Sequence, residues 1–313
     1  MKYKYVIVDT TNLFFKVYES ILKGQNLEDK NIKTDQISEI INLMLELCLF
    51  LERDYSYSDT GEFYFLFDNS QTQIKLRKIL DESYKSNRDK ARMPKNLYSV
   101  LRLFSNILKT YSDNFHVLFA EKLEADDLTF PLIKRLDIDV TQKALVVSDD
   151  MDWSRNIAEN VHWFNWRTVY TPEEFYKKYN FFPTEEAVCI YKSFLGDPSD
   201  NIPKGVPGVG DDKLKQLVIE IISRYKTLPE FLKKIDSADF LDIKLRNLIL
   251  SSMKRLKKNY DLVIPLLVDR DISTYIQKCQ KNWTQCRIYY ESLNIEVPDH
   301  MKSSSEILDT FFS

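Results

Sequence analysis

The stretch Gly196-Asp197-Pro198-Ser199-Asp200-Asn201-Ile202-Pro203-Lys204-Gly205-Val206-Pro207-Gly208-Val209-Gly210 holds four of the chain's six glycines and three of its ten prolines. Unusual backbone geometry is therefore gathered in one place. Upstream, short apolar runs rich in β-branched and aromatic residues read as buried strands at Tyr5 to Val8, Phe63 to Phe67, Phe115 to Phe119 and Ala144 to Val147. Apolar residues at helical spacing predict helices over Ile37 to Leu51 and Leu97 to Tyr111. Strands alternating with helices specify an α/β fold with a parallel sheet and right-handed crossovers. Val161 to Tyr170 reads as a short hairpin. Thr171-Pro172-Glu173-Glu174 reads as a capped helix start, and Thr184 to Leu195 as a further helix. From there to about Tyr260 only helical patterns remain, so the chain changes from α/β to all-α near residue 183.

Composition bounds the function. At 313 residues the chain should hold one large or two modest domains. With 44 Lys+Arg against 47 Asp+Glu the formal charge is −3, so a nucleic-acid partner would have to be met by a local patch. Cys48, Cys189, Cys279 and Cys286 form no close pair, which indicates neither a disulfide framework nor a zinc site. No signal peptide and no apolar run of ~18 residues is present, so the protein is expected to be soluble and cytoplasmic, with no membrane partner.

Carboxylates follow each of the four strands. Asp9 follows the first and Asp68 the second; Glu124, Asp126 and Asp127 come soon after the third, and Asp150 with Asp152 after the fourth. A parallel sheet places all its carboxyl ends along one edge, so four distant segments would deliver seven acids to one crevice. Like charges so crowded raise one another's pKa values unless cations neutralise them. Oxygen-only donors suit Mg²⁺ or Mn²⁺, and two such ions ~3.5–4 Å apart would clamp the attacking and leaving oxygens of a phosphodiester. Asp126 or Asp127 could instead N-cap the following helix and Asp150 or Asp152 the next, a single Asp after a first strand is common in α/β folds, and the pattern alone also permits a phosphatase or a phospho-acceptor domain.

The quoted stretch decides among these. Gly208 and Gly210, ahead of a helical run from Asp211 to Ile222, place small residues and free N–H groups where a phosphate could approach the backbone. Asp197 and Asp200 add two acids that could reach the same ions. The segment Tyr84-Lys85-Ser86-Asn87-Arg88-Asp89-Lys90-Ala91-Arg92-Met93-Pro94 adds four cations just after an aromatic, the combination expected of a single-strand channel.

Together these motifs resemble the flap endonuclease and 5′-to-3′ exonuclease family, in particular the stand-alone phage enzymes and the nuclease domain of bacterial DNA polymerase I. The carrying motifs are Val8-Asp9, Phe67-Asp68, Glu124-Ala125-Asp126-Asp127, Ser148-Asp149-Asp150-Met151-Asp152 and Gly196 to Pro203. The resemblance implies a three-layer, parallel-sheet (PIN-like) nuclease core over 1–183 with an arch or gateway at about 82–111. It also implies a helix-three-turn-helix module over 184–265 and a C-terminal segment, 266–313, packed back on the core. By the same resemblance Asp9, Asp68, Glu124, Asp126 and Asp127 serve a first metal site, and Asp150, Asp152, Asp197 and Asp200 a second. Lys85 would place positive charge at the scissile phosphate and Arg88 would steer the 5′ strand. Tyr84, Lys90, Arg92, Gly208, Gly210 and Lys213 would join them in binding DNA, and a potassium ion would sit in the module. Two positions depart from the family pattern: Lys204 is an extra residue, and Asp212 stands where many relatives carry a lysine, which here comes one place later as Lys213.

The implied enzyme is a monomer in the host cytoplasm if phage-encoded. It hydrolyses branched or 5′-ended DNA, with the RNA strand of a primer hybrid as a further substrate, using two Mg²⁺ or Mn²⁺ ions. A single-strand-binding protein is carried as a partner without a docking motif to support it. The alternatives are a non-catalytic relative that binds branched DNA, disfavoured because acids facing phosphates only weaken binding, and a compact toxin-type ribonuclease, which needs no Gly-Asp-x-x-Asp-Asn segment. Setting the nine candidate acids aside leaves thirty-eight acidic residues against forty-four basic ones, so the remainder of the chain is basic.

Overall fold

A computed structural model describes residues 1–22, 31–57, 60–68, 76–86, 93–119, 123–139, 141–266 and 271–298. The elements run β1 (Tyr5–Asp9), α1 (Thr10–Leu22), α2 (Thr34–Tyr55), β2 (Glu62–Phe67), α3 (Leu76–Leu80), α4 (Leu97–Tyr111), β3 (Phe115–Phe119), α5 (Ala125–Leu136), β4 (Ala144–Val147), β5 (Val161–Phe164), β6 (Val169–Tyr170), α6 (Pro172–Tyr179) and α7 (Glu185–Leu195). There follow α8 (Asp211–Tyr225), α9 (Leu228–Lys233), α10 (Ile243–Val263), β7 (Ile276–Lys278) and α11 (Trp283–Ser292), with short 3-10 turns at Met151–Asn156 and Pro198–Asp200.

The sheet order is β6-β5-β4-β1-β2-β3-β7. Its five inner strands are parallel; β6 and β7 pair antiparallel at the two edges. The chain leaves β1 toward β2 and β3, then returns to lay β4 against the other side of β1. The strand order therefore reverses between β1 and β4, the switch point where α/β sheets open a crevice beyond their carboxyl ends.

Alternation along the strands divides the core into two faces. Val6, Val8, Phe63, Phe65, Phe67, Phe115 and Val117 pack with α1, α2, α4 and α11. Ile7, Tyr64, Leu66, Leu118 and Val146 face α5 and, through Trp153, the helices α7, α8 and α10. This second cluster is continuous from the sheet to Val218 and Ile249, so residue 183 marks a change of composition and not a break in packing.

The hairpin and the helix starts agree with the sequence: Thr171 Oγ1 accepts from Glu174 N, and Thr184 Oγ1 from Ala187 N. The arch expectation fits less well. Of residues 82–111, the span from Leu97 onward is α4, a core helix with Leu101, Phe104, Ile107 and Leu108 buried. Its wide apolar stripe has to be covered, which removes it from any open arch. Among the described residues after 266, β7 joins β3 and α11 lies against α4. All four cysteines are buried and unpaired. No helix among the described residues is long and apolar enough to cross a membrane.

Candidate metal centre and nucleic-acid interface

Asp9 ends β1 beside Ser148, the residue after β4. Ser148 Oγ donates to Asp9 Oδ2 at 2.9 Å, Asn12 N donates to Asp9 Oδ1 at 2.9 Å, and Asp150 N donates back to Ser148 Oγ at 3.1 Å. The switch point is thus stitched by the residues that carry its acids. Asp68, at the end of β2, accepts from Ala125 N at 3.0 Å, while Thr11 Oγ1 accepts from Asp68 N at 3.0 Å. Asp150 caps the 3-10 turn at Met151–Asn156 by accepting from Asp152 N at 2.9 Å, so it is both a cap and a crevice acid.

Asp9, Asp68, Glu124, Asp126, Asp150, Asp152 and Asp200 line one cavity of about 130 Å³ together with Lys85. That volume admits ions with a few waters and is below the ~300–1,000 Å³ of a pocket for a drug-sized ligand. Oxygens of Asp152, Asp197 and Asp200 lie within 4.8 Å of one another. This donor set, all carboxylate, fits a hard divalent ion.

Two of the nine acids stand apart from the cavity wall. Asp127 turns away from the crevice and is held by Arg77, Nη1 to Oδ2 at 2.8 Å and Nη2 to Oδ1 at 2.7 Å. It also accepts from Glu124 N at 3.0 Å and Leu266 N at 2.9 Å, the first of these closing a capping box at the start of α5. For Asp127 the capping interpretation therefore describes the geometry, and the ligand expectation is corrected: every direction in which it could reach an ion is taken by a donor. Asp197 lies beside Asp152 and Asp200 and shares a buried lysine, Lys192, with Asp152 and Asp150.

Lys192, 5 % exposed, projects from α7 and sits 2.6 Å from Asp152 Oδ1, 2.7 Å from Asp197 Oδ2 and 3.9 Å from Asp150 Oδ1. Arg77, on α3, also meets Glu124 Oε2 at 3.0 Å. Arg155 meets Asp126 Oδ2 at 2.8 Å. None of these three cations was expected from the sequence. The available signal was weak: Lys192 is a lone charge in the apolar run Ala187 to Phe194, and Arg155 falls three residues after Asp152. With Lys85, four cations stand among nine carboxylates, leaving five negative charges where the acids alone would leave nine.

The ionisation of the acids follows these contacts. Burial, and then Asp68, push Asp9 up to about 8. Burial of its carboxyl end among the other acids, and then Asp152, push Asp150 up to about 7. Burial alone would raise Asp197, but the Lys192 ammonium outweighs it and holds the group at about 2. Burial likewise opposes, and Arg155 then Arg77 reverse, the shift of Asp126, which ends below the usual range.

Over the crevice, Tyr84 is buried and its hydroxyl is shared between Glu124 Oε2 at 2.7 Å and Asp200 Oδ2 at 2.9 Å. Lys85 adopts φ 55°, bonds Glu124 Oε1 through Nζ, and lies 3.5 Å from Asp200 Oδ2. Its backbone N–H donates to Asp200 O at 2.8 Å, and Asn201 Nδ2 donates to Ser83 O at 2.7 Å, so the 84–86 turn rests on the Asp197–Asn201 loop. Arg88, Lys90 and Arg92 lie outside the described residues.

The glycine stretch wraps the start of α8. Gly208 has φ +90°, and a Cβ on Gly205 would fall 2.1 Å from Ser193 O. Gly210 caps α8 without a side-chain hydrogen bond and faces open space, so backbone N–H groups there stay accessible. Asp211 and Asp212 occupy the first turn, and Lys213 reaches Asp242 at 3.1 Å.

Comparison with known proteins places this geometry. No protein of curated function matches the chain by sequence. The bacteriophage T5 flap endonuclease, solved as a pseudo-enzyme–product complex with DNA and metal ions, superposes with TM-score 0.57 at 20 % identity over 97 % of this chain and 98 % of its own. The catalytic core of Rad2 in complex with a DNA substrate gives 0.54 at 15 % identity over 94 % and 88 %. Human GEN1 in complex with Holliday junction DNA gives 0.56 at 16 % identity over 96 % and 70 %. Residues 4–180 match the family described as 5′-3′ exonuclease, N-terminal resolvase-like domain, which is more than half the chain. The sheet, its switch-point acids and that match together make the chain a nuclease of the 5′-to-3′ exonuclease family.

Proposed function

We propose that this nuclease cleaves 5′ flaps and 5′ ends of branched DNA, and the RNA of primer hybrids, with two divalent ions, Mg²⁺ or Mn²⁺. The observation that carries the reading is the convergence of acids from four strand ends and from the Asp197–Asp200 loop on one small cavity roofed by Lys85. Asp9, Asp68, Glu124 and Asp126 would hold the first ion, and Asp150, Asp152, Asp197 and Asp200 the second. When bound, the ions supply charge neutralisation at the scissile phosphate and acidify the attacking water.

The chain's own residues do the remainder. Lys85 puts an ammonium at the rim, where it can leave Glu124 and Asp200 for the phosphate's non-bridging oxygens as a preorganised electrostatic partner. Tyr84 ties the acids of the two ion sites to one another through a single hydroxyl, fixing their separation. Gly208, Gly210 and the first turn of α8 offer backbone donors to one duplex phosphate, contacts that position the substrate without reading its sequence. Arg88, Lys90, Arg92 and Lys213 are assigned to the strand and duplex backbones, the protein acts as a monomer, and a potassium ion belongs in the turn module. The alternative that the experiment below separates is a non-catalytic role on branched DNA, in which the four cations among the acids would serve only to lower the repulsion that opposes binding.

The deciding experiment incubates the protein with labelled 5′-flap, nicked and RNA-primed duplexes in Mg²⁺ or EDTA, beside D150A. Cleavage that needs Mg²⁺ and is lost in D150A is expected. Cleavage surviving both treatments overturns the two-ion reading, and flap binding without cutting in either Mg²⁺ or Mn²⁺ replaces it with the binding role.

A further inference from the structure

Arg155 stands in the 3-10 turn that carries Asp152, yet its side chain points to a different element. Nη2 lies 2.8 Å from Asp126 Oδ2 on α5, Nη1 donates to Val263 O at 3.3 Å at the end of α10, and Nε has no hydrogen-bond partner among the described residues. The side chain is 1 % exposed, and that of Asp126 is 12 % exposed. A guanidinium does not deprotonate in proteins, so this charge is permanent. Sealed from solvent, it needs an ionised partner, and breaking such a pair would leave an uncompensated buried charge. Asp126 at the same time lines the cavity. Its Oδ2 is committed to Arg155, which leaves Oδ1 for the cavity.

We propose that Arg155 is a positioning residue of the first ion site: it fixes the rotamer of Asp126 and is a built-in counterion, taking up one unit of charge that a divalent ion would otherwise neutralise. The role rests on the two-ion reading above. It follows from geometry that a residue placed only for packing would not show, because the forked group joins a crevice acid to the carbonyl end of α10 instead of filling apolar space. The carbonyl end of a helix is also where a cation is best accommodated.

The test measures binding of Mn²⁺ to metal-free protein by the loss of the free-ion electron paramagnetic resonance signal, and melting in EDTA and in Mn²⁺, for wild type, R155Q, R155M and R155K. Removing the charge should tighten Mn²⁺ binding, on the order of tenfold for a unit charge a few Å from a divalent ion after screening. The neutral variants should melt lower than wild type in EDTA and recover most of that difference in Mn²⁺. R155K keeps the charge but not the planar fork, so it should bind Mn²⁺ as wild type does while turning over flap DNA more slowly. Equal Mn²⁺ affinity in wild type and both neutral variants, or the same loss of melting temperature with and without Mn²⁺, overturns the counterion role. Neutral variants that fold only in Mn²⁺ support it; failure to fold even there counts against it. Wild type that takes up no Mn²⁺ would overturn the two-ion reading itself, a result separable from wild type and R155Q binding alike.

Discussion

Arg77 holds Asp127 by two parallel bonds of 2.8 and 2.7 Å, with both side chains sealed from solvent. Asp127 is thereby separated in role from its neighbour Asp126, which points to the cavity. Asp127→Asn leaves the Arg77 charge buried against one fewer carboxylate, and should cost about 3–5 kcal/mol of folding stability. Equilibrium denaturation read beside Mn²⁺ titration checks this. D127N should lose stability with near-normal ion affinity, whereas D126N, which unpairs the buried Arg155 guanidinium, should lose both stability and ion affinity; a D127N protein of normal stability that no longer binds Mn²⁺ would restore Asp127 as a ligand.

Lys85 bonds Glu124 and lies 3.5 Å from Asp200, so its ammonium is held at the cavity where the scissile phosphate would enter. Lys85→Ala should therefore slow single-turnover cleavage by about 10²–10³-fold, as for loss of one preorganised electrostatic donor. Flap affinity measured in Ca²⁺ should fall far less, because a single phosphate contact is a small share of duplex binding. A loss of affinity equal to the loss of rate would remove Lys85 from the chemical step.

The raised pKa values of Asp9, about 8, and Asp150, about 7, fix the sign of two pH effects. Each acid is more easily protonated in the folded than in the unfolded chain, whose value is near 3.8. The stability they contribute is fully present below about pH 3.8 and is lost progressively as pH rises to about 7 to 8. In EDTA the melting temperature should accordingly drop between pH 6 and pH 8.5, and Mg²⁺ should restore more of it at the higher pH. Ion binding must displace those protons, so the apparent Mn²⁺ dissociation constant should fall by about tenfold per pH unit for each proton released below these values. An affinity that does not change between pH 6 and 8 would mean that neither acid is an ion ligand.

Much of the site was legible because its signal is periodic. A buried strand ending at or just before an acid, at Asp9, at Asp68 and within three residues at Asp150, is visible without coordinates, since strand direction alone sends each acid to one edge. The counter-charges were not legible for the opposite reason. Arg77, Arg155 and Lys192 are three cations in a sequence where basic residues are common, and only the packing of α3 on α10, of the Met151–Asn156 turn on α5 and β5, and of α7 on that turn reveals that they are buried. Strand β7 escaped notice because Ile276-Gln277-Lys278 has no apolar run; it exists through its pairing with His116 to Leu118 on β3. Asp127 was misassigned because spacing cannot tell a capping carboxylate at the third position of a helix from a ligand one residue earlier.

The three glycines of the turn separate folding from recognition. At Gly205 a methyl group would collide with Ser193 O, and at Gly208 the φ of +90° is one that side-chain-bearing residues rarely adopt. Gly205→Ala should therefore destabilise the α7–α10 packing severely, and Gly208→Ala by about 1–3 kcal/mol for the strained backbone. Gly210 has φ −75° and open space around its missing side chain, so Gly210→Ala should fold normally. If a duplex phosphate approaches the backbone there, the added methyl should stand in its way. G210A is then expected to keep its melting temperature and its cleavage rate on saturating substrate, while its affinity for duplex-containing flaps falls severalfold. Binding curves for a flapped duplex and for a single strand discriminate the cases: an equal loss on both, or no loss on either, would mean that α8 does not meet the duplex through this turn.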